Sequence, residues 1–259
     1  MLDKDVQIVG ILNITPDSFS DGGQYFDLSA AISQADKLFV DGASIVDVGA
    51  ESTRPNAIKL TADEEWQRLQ PVLEVLIPKY TGKISVDTYH PETVRRALAI
   101  GPIIVNDVTG MNNPGMINIV TELKPTVIIS HLPSTDIQYA HQTMSITDVN
   151  QVKDDLLAKA QLLIDRGLPK SQIILDPGIG FGKLPEVNVQ LLKFAELVPD
   201  FDVMIGYSRK RFLGENRMEL APNLDAGRIA IDSGAKYLRV HDVTEHIQLL
   251  DSGIWAILF

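Results

Sequence analysis

The sequence predicts an α/β fold in which eight parallel strands close into a (β/α)₈ barrel of the TIM type, with residues 1–259 as one domain. Three observations predict it. Short apolar runs alternate with helical patterns eight times along the chain. The runs are rich in β-branched residues and mostly lack strict polar alternation, as expected of parallel strands buried on both faces. Nearly every run ends in a polar or ionisable residue, so that eight strand ends would line one rim.

The first run, VQIVGIL (6–12), ends at Asn13. Ser29 is placed to cap a helix that stops at Gly42. The run SIVDVG (44–49) carries Asp47. Thr61, Ala62, Asp63 and Glu64 form a capping box that opens an apolar-periodic helix to about Ile77. The third and fourth runs, KISVD (83–87) and IIVND (103–107), end in Asp87 and in Asn106 with Asp107. The fifth, TVIIS (126–130), leads to His131, and Thr147 then caps a helix that stops at Gly167. The last three are QIILD (172–176), DVMIG (202–206) and KYLRV (236–240). They carry Asp176, then Ser208 with Lys210, then Arg239 with His241. A doubly wound sheet of seven or eight units would show a similar alternation. The polar strand ends and the long loops 13–28, 50–61, 131–147 and 207–222, all on the same side, favour the closed barrel.

Bulk composition narrows the function. The formal net charge is −11, from 23 basic and 34 acidic side chains, which argues against nucleic acid as a partner. Any anionic substrate must be drawn in by a local basic cluster against the global field. Cysteine is absent, which excludes disulfides, thiolate metal sites and a cysteine nucleophile. The N-terminus MLDKDVQIVGIL has no long apolar core with a cleavage site, and no apolar run reaches the ~18 residues a membrane span needs. A cytoplasmic enzyme with no membrane partner is the expectation.

Two long motifs are specific. The segment GILNITPDSFSDGG (10–23) resembles the first signature of the dihydropteroate synthases, and VDVGAESTRP (46–55) resembles the second. ISVDT (84–88), NDV (106–108), LDPGIGFGK (175–183), SRK (208–210) and RVHDV (239–243) follow in that family's order. The resemblance implies a transferase that joins para-aminobenzoate to 6-hydroxymethyl-7,8-dihydropterin diphosphate. The products would be 7,8-dihydropteroate and diphosphate, and Mg²⁺ would assist. It implies a pterin pocket of Asp87, Asn106, Asp176 and Lys210, with Ser208 beside it. Asp87, Lys210, Arg239 and His241 would be the catalytic set. Arg239, His241 and Arg54 would hold the diphosphate, with Asn13 as a magnesium ligand and Asp47 supporting either Asn13 or the metal. Phe19, Asp21, Thr53, Arg54 and Pro55 would close over the amine on two flaps, with Phe181 and Lys183 along the same wall. The Gly-rich run GIGFG lacks the spacing of a dinucleotide fingerprint.

Departures from the family pattern are Leu132 after His131, Asn56 after Pro55, Arg211 after Lys210, and a short stretch 212–235. Arg211, read as opening the helix after the seventh strand, is expected to grip the aminobenzoate carboxylate. Two other readings are a methyltetrahydrofolate-binding methyltransferase domain and a non-catalytic pterin-binding protein. A diphosphate set argues against both. The family is often dimeric. An apolar face of Ile247, Leu249, Leu250, Ile254 and Trp255 would serve either as a homodimer interface or as the closure of the barrel bottom.

Overall fold

The computed structural model describes residues 6–14, 28–51, 59–133 and 145–252. Phe19, Asp21, Thr53, Arg54, Pro55, Asn56, Ile254 and Trp255 lie outside them. Eight parallel strands pair in sequence order and close into a barrel. They are β1 (Gln7–Asn13), β2 (Ile45–Gly49), β3 (Ile84–Asp87), β4 (Ile104–Asp107), β5 (Thr126–Ser130), β6 (Ile173–Asp176), β7 (Asp202–Ile205) and β8 (Tyr237–Val240). The expected strands match these within about one residue at each end. Closure is direct: β8 pairs with β1, with Arg239 opposite Val9. The doubly wound alternative, which would leave two edges, is thereby excluded.

Helices form the outer ring: α1 (Leu28–Val40), α2 (Ala62–Lys79), α3 (Pro91–Ile100), α4 (Pro114–Leu123), α5 (Val149–Asp165), α6 (Pro185–Gln190), α7 (Leu220–Asp232) and α8 (Val243–Ser252). The capping box of α2 is present in both directions, with Glu64 N donating to Thr61 Oγ1 and Thr61 N donating to Glu64 Oε2. Two expected caps are corrected. Ser29 lies inside α1 rather than before it. Asp148, not Thr147, caps α5 by accepting from Asn150 N, because the chain becomes helical one residue later than expected. Ile247 and Leu250 pack on the core beside the barrel. No described helix is long and apolar enough to cross a membrane.

Two apolar clusters explain the strand composition. One gathers Val9, Ile45, Ile104, Ile128, Ile174 and Met204, with Tyr237 against them. These come from seven different strands, and only the barrel interior lets such side chains meet. The alternate residues, among them Ile8, Val46, Val86, Val105, Ile129, Leu175, Ile205 and Leu238, belong to the large cluster under the helices. Both faces are therefore apolar along the lower part of the barrel, and the polar–apolar alternation of a half-exposed strand does not arise.

Candidate active site

The side-chain period of two along a strand decides what reaches the barrel mouth. Two residues beyond the apolar interior layer, the same inward face carries Asp47, Asn106, Ser130, Asp176, Gly206 and Arg239. Asn13, Gly49, Ser208 and His241 follow two residues further on their strands. Asp87 shares this face, since the strand register sets Gly49, Asp87 and Asn106 side by side. A polar layer thus sits on an apolar floor, inside the ring of strand ends.

Its centre is an ion-pair network. Arg239 donates through Nε to Asp47 Oδ2 at 2.7 Å and through a terminal nitrogen to Asp87 Oδ2 at 3.0 Å. Asn106 Nδ2 donates to Asp47 Oδ2 at 3.1 Å, while Asp47 Oδ1, fully buried, is unpartnered. In this geometry Asp47 orients Arg239 and Asn106. Two carboxylates share one guanidinium. Burial, and then the neighbouring Asp47, lift the Asp87 carboxyl to about 8 against the pull of Arg239.

Asp176 is held rigidly. Its Oδ1 accepts from Gly178 N at 2.8 Å and its Oδ2 from Ser130 Oγ at 3.1 Å. Gly178 has φ of 62°, and a Cβ there would stand 2.1 Å from His131 O, so the turn admits only glycine. Gly206 was not foreseen as a site residue. A Cβ on it would stand 3.8 Å from both Arg239 Cβ and Asp176 Oδ2, so its bare backbone keeps the space between them open. The signal in the sequence was its place two residues after Met204 and two before Ser208.

Lys210 donates to Ile179 O at 2.6 Å, and its ammonium lies 5.2 Å from the Phe181 ring centroid. Burial lowers its pKa to about 8, with Asp176 opposing and Arg239 assisting. Phe181 packs with Val108 and Leu132, so Leu132 contributes to a small apolar wall at the mouth. Ser208 Oγ and His241 Nδ1 are 2.9 Å apart. Between Ser208 and Lys210, Arg209 takes the left-handed conformation, at φ of 60°. It is fixed there by Asn223 Oδ1, which accepts from Arg209 N at 2.8 Å, and by its own ion pair with Asp242 at 2.7 Å.

Four further polar side chains near the mouth are placed as follows. Lys183 is buried and donates to His131 O, Gly178 O and Phe181 O at 2.8–3.2 Å. Burial pulls its pKa down to about 7, while the three carbonyls match the three N–H bonds of an ammonium. Arg211 does not open a helix. It is exposed and begins a three-residue 3₁₀ turn, Arg211–Leu213, and α7 starts only at Leu220. Asp107 accepts from Thr109 N, Thr109 Oγ1 and Met111 N, which makes it a turn residue. His131 falls one residue off the inward register and reaches Asp155 on α5 at 3.1 Å.

The chain is similar to known proteins over nearly its whole length. The family model described as pterin binding enzyme matches residues 9–241. A dihydropteroate synthase of Streptococcus pyogenes is 37% identical over 262 residues, covering 96% of this chain and 95% of the relative. Two solved structures of the Xanthomonas albilineans dihydropteroate synthase superpose closely. The one with 4-aminobenzoic acid gives a TM-score of 0.86 at 34% identity, covering 98% of this chain and 94% of that one. The one with 7,8-dihydropteroate gives 0.83 at 32%, covering 100% and 96%. The chain belongs to the pterin binding enzyme family and, within it, to the dihydropteroate synthases.

Proposed function

We propose that the polar layer at the barrel mouth binds 6-hydroxymethyl-7,8-dihydropterin diphosphate and joins it to para-aminobenzoate, giving 7,8-dihydropteroate and diphosphate in a single-domain cytoplasmic enzyme. One observation carries the reading: carboxylates, an amide, an ammonium and a guanidinium converge over an apolar floor. A flat, largely apolar ring with a hydrogen-bonding edge needs both features. The solved relative with 7,8-dihydropteroate supports the choice of product, and the one with 4-aminobenzoic acid the choice of amine.

In this reading Asp176 accepts from the amino-pyrimidine edge, and Asn106 and Lys210 meet the remaining ring atoms. Phe181 and Leu132 flank the ring. The amine nitrogen attacks the exocyclic methylene carbon as the bond from that carbon to the diphosphate oxygen breaks. The nitrogen then releases its proton. The amine is mainly neutral at pH 7 and needs no strong general base. Positive charge on the pterin is stabilised by Asp87 in its ionised form, the share of which grows as pH rises towards 8, and negative charge on the departing diphosphate by Arg239 and His241. Arg211, beside Lys210, pairs with the aminobenzoate carboxylate through its guanidinium alone, without the help of a helix N-terminus.

Magnesium fits the donor chemistry. Asn13 offers an amide oxygen, exposed at the rim opposite Gly49, and a diphosphate brings further oxygens of the kind this hard cation requires. Bound there, the ion supplies positive charge to the leaving group. The test is direct: purified protein, both substrates and Mg²⁺, with diphosphate release measured. Release that depends on both substrates is expected. Its absence, in protein shown to be folded, overturns the reading.

A further inference from the structure

Outside the polar layer, three side chains from three different elements converge. Glu51 follows β2, Glu65 lies on α2, and His90 precedes α3. One ligand atom from each lies within 4.8 Å of the other two. Their surroundings orient them. Glu65 is fully buried, and its Oε2 accepts from Thr88 Oγ1 at 2.7 Å and Thr93 Oγ1 at 2.6 Å. Its other oxygen, Oε1, is buried without a partner. Glu51 Oε1 accepts from Tyr89 OH at 2.6 Å, and its Oε2 from Leu60 N at 3.2 Å. His90 makes no side-chain bond to the helix it precedes, and its buried Nε2 has no hydrogen bond, its charged neighbour being Glu51 Oε2 at 3.9 Å.

We propose that Glu51, Glu65 and His90 bind one zinc-class divalent cation, at a site separate from the reaction centre and from the magnesium that accompanies diphosphate. The donor set suits such an ion: one neutral imidazole and two carboxylates, whose two negative charges balance its two positive ones. Ligands about 2.1 Å from a tetrahedral ion lie about 3.4 Å apart, so side-chain movements on the order of 1 Å complete the shell. The outer shell is already in place. Two threonine hydroxyls fix one oxygen of Glu65 and leave the other for the ion, and Tyr89 and Leu60 fix Glu51. An empty site leaves a buried carboxylate oxygen and a buried imidazole nitrogen unsatisfied, an arrangement that costs stability.

The site has a structural consequence. Glu51 and Leu60, joined by a hydrogen bond, bracket residues 52–58, in which Thr53, Arg54 and Pro55 lie. An ion on Glu51 ties that base to α2 and to the start of α3. This inference does not rest on the pterin assignment.

The experiment uses the full chain, stripped with chelator and free of substrate, titrated with zinc chloride by calorimetry and followed by thermal unfolding. One equivalent binding at micromolar affinity or tighter, with a raised Tm, is expected. His90→Ala and Glu65→Gln should each weaken binding by at least about tenfold. His90→Lys keeps a cation between the carboxylates, so it should fold like the parent and yet bind no zinc there. Magnesium should not compete. No heat and no Tm change with micromolar zinc would overturn the proposal, as would zinc binding of equal strength in His90→Lys.

Discussion

Asp176 has little freedom to adapt: the Gly178 amide and the Ser130 hydroxyl each hold one carboxylate oxygen. A ligand that pairs with it therefore meets a fixed acceptor, and its removal leaves the ligand's donors dry and unpaired. Asp176→Ala is expected to lose about 1–3 kcal/mol of pterin diphosphate binding in calorimetry, roughly ten- to a hundredfold in Kd. Unchanged affinity would sink the pocket assignment. Arg239 is different, because it stabilises the fold as well as the site. Replacing it by alanine strands two carboxylates, Asp47 among them with no exposed surface, at a cost of about 3–5 kcal/mol. Arg239→Lys is the cleaner probe, since it keeps a charge and loses the planar fork. It should weaken the pterin diphosphate by at least about tenfold and the bare hydroxymethyl pterin far less. Equal losses for the two ligands would assign Arg239 to structure alone.

The elements that carry these residues act through their turns. Arg209 sits in a left-handed conformation that costs a side-chain-bearing residue free energy. Asn223 on α7, fully buried, holds it: Oδ1 accepts from Arg209 N, and Nδ2 donates to Arg217 O and Glu219 O at 2.9 and 2.6 Å. Asn223→Ala should lower stability by about 1–3 kcal/mol and raise the pterin KM, because Ser208 and Lys210 flank the released residue. A variant with the stability loss but an unchanged KM would show that the turn holds its shape without Asn223. The 3₁₀ turn that follows was not legible in the sequence. Gly214, at φ of 86°, ends it after Leu213, and that tertiary choice moves the helix start to Leu220. Arg211→Ser should therefore raise the aminobenzoate KM by about tenfold, the worth of a charge-assisted pair, and leave the pterin KM in place. An unmoved aminobenzoate KM would remove Arg211 from the site. The eight strands were legible because β-branched runs buried on both faces have few alternatives, and the α2 capping box because it is purely local. The polar strand ends were legible as a set. Which of them point inward was not, since Asn106 and Asp107, or Ser130 and His131, differ only in pleat, and one residue of register separates a pocket wall from a helix contact.

At the scale of the whole molecule, an acidic chain of net charge −11 gathers the buried Lys183 and the half-buried Arg239 and Lys210 around one barrel mouth. Under the proposed function that sets an anion-binding region against the global field, and the same cluster leaves a trace in the pH dependence of stability. The Asp87 carboxyl moves from an ordinary 3.8 to about 8 on folding, first through burial and then through Asp47. Between those values the folded chain holds a proton that the unfolded chain has released, so stability falls as pH rises through that window. The lysines act in the other direction. Burial lowers Lys210 from 10.5 to about 8 and Lys183 to about 7, so above those values the unfolded chain holds more protons and stability rises with pH. From these three groups together, a minimum of stability is expected near pH 7–8. Asp87→Asn removes the falling limb. In denaturant titrations the variant should lose the decline from about pH 5 to about pH 8, and at pH 8 it should be at least as stable as the parent. Its product formation should fall by at least about a hundredfold, as removal of one charge-stabilising group does elsewhere. A parent whose stability is flat across that range, or an Asp87→Asn variant with the same decline, would show that Asp87 is ionised in the free enzyme and that the two carboxylates share Arg239 as a plain ion pair.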